Sequence, residues 1–384
     1  MIRKICYDDV DEIIKLENET INTTLGKEML TLACKSEIAF YYVYLDNNNV
    51  VGYISSTFDG ITIEILNFCV YKSYQGKGIG TKLLNYLLNN LYKRGAINSI
   101  LEVRESNNNA INLYTKFGFK NINIRKNYYS NGENAIVMQK TFTPYNDLYQ
   151  SYMENVCSIN KEKDYISYRN DDFKEKYDYN KYEILDTANI AKVLKKIKKD
   201  NNRDFLEIEY SKSIKEYVLD MIESYCVVMH TNIASINLDI KYNDIREYSK
   251  DLREDYIKYT YNDDLKYDTK YAKVNGIFRA NLIENNKKFS SYLIYDNNIL
   301  VGLLDVYIFM DSAFIENFSI LEGYRLKGYG KSLFMGMIND LRKKNIYDIF
   351  LDADGYDTPI RMYEKWGFIN TLEYYTYHED YEDD

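Results

Sequence analysis

Five landmarks of this chain return about 250 positions further on. Val51-Gly52 returns as Val301-Gly302, Asn67-Phe68 as Asn317-Phe318, and Gln75-Gly-Lys-Gly-Ile-Gly80 as Arg325-Leu-Lys-Gly-Tyr-Gly330, each displaced by 250. Tyr114 and Gly118-Phe119 return as Tyr363 and Gly367-Phe368, displaced by 249. Asn47-Asn-Asn-Val-Val-Gly52 has an echo in Asn297-Asn-Ile-Leu-Val-Gly302. A spacing held through so many points indicates one fold present twice. The 384 residues divide accordingly into a first domain over 1–142, a linker and middle segment over 143–244, and a second copy over 245–380.

The most informative repeated stretch is a glycine-rich turn. The apolar run Ile61 to Val70 reads as a strand, and Ile79 to Leu91 as an apolar helix. Gly76, Gly78 and Gly80 lie between them. Glycines at a strand-to-helix turn leave backbone N–H groups bare, and the helix adds the positive end of its dipole. Together they make a seat for a diphosphate. The spacing, Gln75-x-x-Gly78-x-Gly80, is neither the Gly-x-Gly-x-x-Gly of dinucleotide folds nor a P-loop.

Around that turn the first domain alternates strands and helices. Ile2 to Tyr7 reads as a strand, and Asp8 or Asp9 caps a helix carrying Val10, Ile13, Ile14 and Leu16. Ile38 to Leu45 and Val50 to Thr57 form a hairpin across Asn47-Asn-Asn49. After Gly95 come a strand at Ile97 to Val103, a helix at Asn107 to Phe117, and strands at Phe119 to Arg125 and Ala135 to Lys140. The pattern is α/β (α+β) with a mixed central sheet. In the middle segment, Tyr145 to Asp164 reads as a polar connector. Ala188 to Lys198 and Ile214 to Tyr225 read as helices and Phe205 to Tyr210 as a strand. No motif stands there, and a degenerate partner domain or a lid are both open.

The loop resembles the acetyl-CoA diphosphate loop of the GNAT acyltransferases, Arg/Gln-x-x-Gly-x-Gly/Ala. Downstream, Leu101-Glu-Val-Arg-Glu-Ser-Asn107, Ala110, Leu113-Tyr114, Gly118-Phe119, Arg125, Tyr128-Tyr129 and Glu133-Asn-Ala135 extend the likeness. This succession is similar to the bacterial ribosomal-protein alanine N-acetyltransferases, over roughly residues 1–142. The resemblance implies two GNAT folds joined by a middle α/β segment. It implies transfer of an acetyl group from acetyl-CoA, as co-substrate and without a metal, to an amine. The acceptor it implies is a protein or peptide N-terminal amine, with a ribosomal protein as one candidate. A small-molecule amine, such as a polyamine or an antibiotic, and a non-catalytic acyl-CoA-binding scaffold are the alternatives.

An amine must meet the thioester unprotonated, and the leaving thiolate needs a proton, so a base and an acid are required. The resemblance implies Glu102 as base. Glutamate between Leu101 and Val103 faces opposite to both, and Glu is uncommon in an apolar strand. It implies Tyr114 as acid, since a phenol titrates near enough to a thiol to share its proton. Phe68 and Val70 would supply strand backbone to the pantetheine arm. Gly76, Gly78, Ile79, Gly80 and Thr81 would hold the diphosphate, flanked by Gln75 and Lys77. Lys77 is equally readable as a solvated loop lysine. Asn107 matches a coenzyme-contacting position and also reads as a helix N-cap. Arg325, Lys327, Gly328 and Gly330 would serve a second coenzyme site, where Leu326 replaces the first glycine and Asp352 stands in place of Glu102.

One departure bears on the acceptor. The family's Pro-Trp pair after the first helix is missing from Glu19-Thr-Ile-Asn-Thr-Thr24. Other features exclude alternatives. The five cysteines are scattered with no Cys-x-x-Cys, and the only histidines are His230 and His378, which argues against zinc and against a His-based triad. Cys69 has no histidine to activate it, so no covalent intermediate is expected. A net charge of −9 argues against nucleic acid as partner and suits a cationic one. With no run of about 18 apolar residues and no signal-peptide core, a cytoplasmic chain without membrane contact is expected.

Overall fold

The computed structural model describes every residue except 22, 186–189, 212–213, 215–223, 357–358 and 382–384. The chain forms two compact units, Met1–Pro144 with Thr231–Ile236, and Tyr145–His230 with Asn237–Asp384. Each is built on one mixed sheet.

The first unit runs β1 (Ile2–Lys4), α1 (Val10–Thr20), α2 (Gly26–Ala33), β2 (Tyr42–Asp46), β3 (Asn49–Phe58) and β4 (Thr62–Val70). It continues with α3 (Ile79–Tyr92), β5 (Asn98–Arg104), α4 (Asn108–Lys116), β6 (Lys120–Arg125) and β7 (Ala135–Thr141). The strand order is β1-β2-β3-β4-β5-β7-β6, with β4 and β5 parallel. α3 lies on one face. Its Leu83, Leu84, Leu87, Leu88 and Leu91 repeat at helical spacing and are buried against Ile54, Ile63 and Leu101. Each such leucine contributes roughly 2 kcal/mol of burial. α1 and α2 cover the other face through Ile13, Leu16, Leu30 and Ala33. Gly52 is required by close approach: a Cβ there would meet Ile79 and Leu83 of α3 at 3.1 Å.

The second unit begins with the middle segment: α5 (Tyr145–Val156), β8 (Ser158–Lys161), β9 (Tyr165–Arg169), β10 (Tyr182–Ile184), α6 (Ile190–Asp200), β11 (Phe205–Ser211) and β12 (Ser224–Asn232). Then follow β13 (Ile245–Glu247), α7 (Arg253–Asp264), α8 (Thr269–Asn285), β14 (Phe289–Asp296), β15 (Ile299–Phe309) and β16 (Ser312–Ile320). The unit ends with α9 (Tyr329–Lys343), β17 (Asp348–Asp354), α10 (Pro359–Lys365) and β18 (Ile369–Asp380). Among the described residues its sheet has 11 strands, ordered β13-β14-β15-β16-β17-β12-β18-β11-β10-β9-β8.

Three sequence expectations change here. Tyr145 to Asp164 is no connector: Tyr145, Leu148, Tyr152 and Val156 form a buried stripe on α5, hidden in the sequence because tyrosine carries half of it. Residues 224 and 225, expected in a helix, open β12, and the rest of that expected helix lies almost wholly outside the described residues. Nor is 143–244 separate from the second copy. β12 lies between β17 and β18, as β7 lies between β5 and β6, so the second copy takes its last strand from the chain before it. β10, α6 and β11 form a further parallel crossover in the same sheet.

The first loop glycine, Gly76, has φ +76°, and its counterpart Leu326 is held at φ +60° with its side chain fully exposed. Left-handed backbone costs a non-glycine residue about 1 kcal/mol. Leu326→Gly should therefore raise the second unit's stability by about 1 kcal/mol in denaturant melts. A loss would show that the leucine side chain contributes there.

Candidate active site

Strands β3 and β4 slip register at one place. Ile54 faces Phe68 and Ser56 faces Ile65, so Leu66 and Asn67 together oppose Ser55. An extra residue bends the strand that carries it. The Ser55 hydroxyl closes the bulge by donating to the Asn67 carbonyl (3.1 Å) and accepting from its N–H (2.8 Å). On its other side β4 pairs with β5 only as far as Ile65 opposite Leu101. Beyond that the two strands part, and Leu66 to Val70 on one side face Glu102 and Val103 on the other.

The opening has two chemically different sides. Leu101 and Val103 face the α3 core with Phe68, Val70 and Tyr114. Strand alternation places Glu102 on the opposite side, the one covered by α1 and α2. Tyr114, on α4, is buried with its ring centre 6.3 Å from Phe68 and 5.6 Å from Phe119. Burial pushes its phenol well above 10, so it stays protonated at neutral and mildly alkaline pH. Burial likewise pushes the Cys69 thiol up to about 12, which leaves it an inert core residue.

Glu102 is a quarter exposed and paired with Arg125 of β6 at 2.6 Å. Its proximity holds the Tyr128 phenol above the usual range. Arg104 sits 3.8 Å above the Tyr129 ring and pairs with Glu133 at 2.9 Å. Glu133 also accepts from the Ser106 hydroxyl and N–H, and these bonds with Arg104 hold its carboxyl down to about 2. The Arg125–Glu102 pair, formed across the bulged β6–β7 pairing, left no sequence signal beyond the two charges.

The glycine turn is tied to the opened strand. Gln75 Nε2 donates to the Val70 carbonyl at 3.0 Å. Gly76 and Gly78 have φ near +76° and +77°, and nothing lies within 4 Å of where their Cβ atoms would be. Ile79, Gly80 and Thr81 form the first turn of α3, with N–H groups available to an anion. Lys77 folds back, 4.8 Å from the Tyr74 ring. Asn107 caps α4, accepting from the Ala110 N–H at 3.2 Å. An open positive-φ turn beside an unpaired strand edge fits the thin diphosphate-pantetheine arm of a coenzyme.

A family model described as Acetyltransferase (GNAT) family matches residues 9–119 and again 247–368. The chain belongs to this family. It is an N-acetyltransferase with two GNAT-type regions. An N-alpha-acetyltransferase from Saccharolobus solfataricus is 31% identical over 152 residues, 36% of this chain and 91% of that protein. A [ribosomal protein bS18]-alanine N-acetyltransferase from Haemophilus influenzae is 42% identical over 100 residues, 24% of this chain and 66% of that protein. Among solved structures, a conserved protein of unknown function from Staphylococcus epidermidis superposes with a TM-score of 0.50 at 18% identity, covering 62% of this chain and 98% of its own. That likeness concerns the fold.

The second GNAT region keeps the frame and fills it. Arg325 Nε donates to the Ile320 carbonyl at 2.9 Å, as Gln75 does to Val70. β16 and β17 run parallel and part after Ile315 and Leu351. The next residues, Glu316 and Asp352, are already engaged. Glu316 receives the Tyr179 hydroxyl at 3.0 Å and the Arg279 guanidinium at 2.5 Å. Asp352 receives the Tyr145 hydroxyl on both oxygens at 2.9 Å and that of Tyr374 at 3.2 Å. Tyr145, Tyr149 and Tyr152 of α5 all pack on Phe314 of β16. At the loop, Ser332 Oγ accepts from the N–H groups of Lys241 and Tyr242, and the Tyr242 ring stacks 3.7 Å from Tyr329. The Lys241 side chain lies 3.5 Å from where a Gly328 Cβ would be. Lys327 folds back onto the Gly323 carbonyl at 2.6 Å, and Gly330 opens α9 in contact range of Phe318.

Burial pushes the Asp352 carboxyl up to about 7. A carboxyl raised in the folded state holds its proton there after the unfolded chain has lost it. Its stabilising effect is therefore lost as pH rises from about 4 through 7. Asp352→Asn should melt higher relative to the parent at pH 8 than at pH 5, as measured by calorimetry. An equal difference at both pH values would contradict a raised carboxyl.

Proposed function

We propose that the first GNAT region acetylates a protein N-terminal α-amine with acetyl-CoA. One observation carries this reading: where β4 and β5 part, a carboxylate and a protonated phenol stand on opposite sides of the opening. Attack and departure at a thioester carbonyl need a base and an acid so disposed. The two relatives named for α-amine acetylation support the acceptor class. The likeness to the Haemophilus protein extends the proposal to a ribosomal-protein alanine as one acceptor to test.

In this reading Phe68 and Val70 align the pantetheine arm through their backbone. Gln75, Gly76, Lys77, Gly78, Ile79, Gly80 and Thr81 hold the diphosphate, and Asn107 adds a contact beside α4. Glu102 takes the ammonium proton through water. The amine nitrogen bonds to the carbonyl carbon as the C–S bond breaks. Tyr114 gives its phenolic proton to the departing thiolate, while strand N–H groups steady the carbonyl oxygen. Tyr128 and Tyr129, fixed by Arg125, Arg104 and Glu133, form one wall for the acceptor. Arg325, Lys327, Gly328 and Gly330 give the second region a coenzyme seat narrowed by Lys241. With Asp352 and Glu316 engaged under α5, that region is not a second amine-acetylating centre.

The test uses the full chain, an N-terminal peptide panel and free small amines. Glu102→Gln and Tyr114→Phe should each lower kcat about 100-fold or more while coenzyme A binding by calorimetry stays unchanged. The parent rate should not fall through Tyr114 ionisation below about pH 10. Turnover confined to small amines would overturn the acceptor assignment. Undiminished thiol release by both variants would overturn the centre itself.

A further inference from the structure

Glu17, in the last turn of α1, is fully buried, and the proposed chemistry does not use it. One carboxylate oxygen accepts from the Thr24 hydroxyl at 2.7 Å and the Leu25 N–H at 3.1 Å. The other accepts from Asn67 Nδ2 at 2.7 Å. A buried carboxyl group is tolerated only when its oxygens are satisfied, and here three neutral donors do so. Two of the donors belong to the α1–α2 loop. The third is the bulge residue of β4, whose backbone Ser55 already closes.

One carboxylate thus joins two parts that must agree in position. Ile21 and Leu25 of the loop pack with Leu66 and Cys69, on the sheet face opposite the α3 core, the face that carries Glu102. Asn67 directly precedes Phe68, whose strand edge lines the opening. The second region ties its bulge differently, through Arg279 of α8, which reaches the extra residue Glu316. There Asp305, opposite Asn317, binds Arg279 at 2.5 Å and the Tyr256 hydroxyl at 2.9 Å, in the copy whose amine side is covered.

We propose that Glu17 is a positioning residue that fixes the α1–α2 loop, as one wall of the acceptor entrance, to the bulged strand that aligns the thioester. The inference rests on the reading that the Glu102 face receives the amine. The loop lacks the family's Pro-Trp pair, and the buried carboxylate is what holds it here. Loss of the tie lets the acceptor wall drift while the glycine turn stays formed, so acceptor recognition suffers and coenzyme binding does not.

The test cuts the tie at each end in the full chain, with Thr24→Val and Asn67→Ala, and at its centre with Glu17→Gln. Thr24 is exposed, and its hydroxyl also accepts from the Gly26 N–H at 3.0 Å, so Thr24→Val loosens the start of α2 without opening the core. Amide hydrogen exchange should speed up at Leu25 in Asn67→Ala, and at Leu66 to Val70 in Thr24→Val. In Glu17→Gln the peptide KM should rise about tenfold with kcat little changed, while coenzyme A Kd stays within about twofold. A purely structural Glu17 predicts a lower melting temperature with peptide KM unchanged, and that result overturns the proposal. Exchange confined to the end that was cut also overturns it. If the parent acetylates no N-terminal peptide, the functional reading falls, and the exchange arm still decides the tie.

Discussion

The site depends on one irregularity, the bulge that sets Leu66 and Asn67 against Ser55. Two parallel strands in regular register would leave no backbone free between them. The extra residue bends β4 away from β5, and the Ser55 hydroxyl satisfies the backbone groups that the bulge would otherwise strand. The residues of the proposed site are placed by that bend. Phe68 and Val70 lie along the free edge, Glu102 and Tyr114 flank the opening, and the glycine turn starts where β4 ends.

The second region shows what happens when the same frame is used for packing. Its bulge falls at the equivalent place, with Glu316 as the extra residue between Asn317 and Ile315. The side that stays half-open around Glu102 is covered there by Tyr145, Tyr149 and Tyr152 of α5. Both strands of its opening present carboxylates, and each is held by hydroxyl groups of the unit's own tyrosines. A buried polar network fully satisfied by its own chain specifies structure and leaves little for a ligand.

Much of the fold was legible in the sequence, because both repeats carry apolar strand runs, and most of the turns that need positive φ carry Gly or Asn. The glycine turn, the strand feeding it and the helix after it lie where the pattern placed them. Asn107 was readable as an N-cap and is one. What escaped was set by long-range pairing. Nothing local marks β12 as the neighbour of β17, since the strand precedes its partners by over a hundred residues. The stripe on α5 escaped because Tyr145 and Tyr152 read as polar in a chain with 42 tyrosines. The Arg125–Glu102 pair and the Glu17–Asn67 tie are single contacts between distant strands and helices, which periodicity cannot reveal.

A crystal structure of the full chain with coenzyme A tests the central claim most directly. The account predicts the diphosphate on the N–H groups of Gly76 to Thr81, the pantetheine arm along Phe68 to Val70, and the sulfur beside the Tyr114 hydroxyl. Coenzyme lodged away from the parted strands of the first region, with that opening empty, would contradict it.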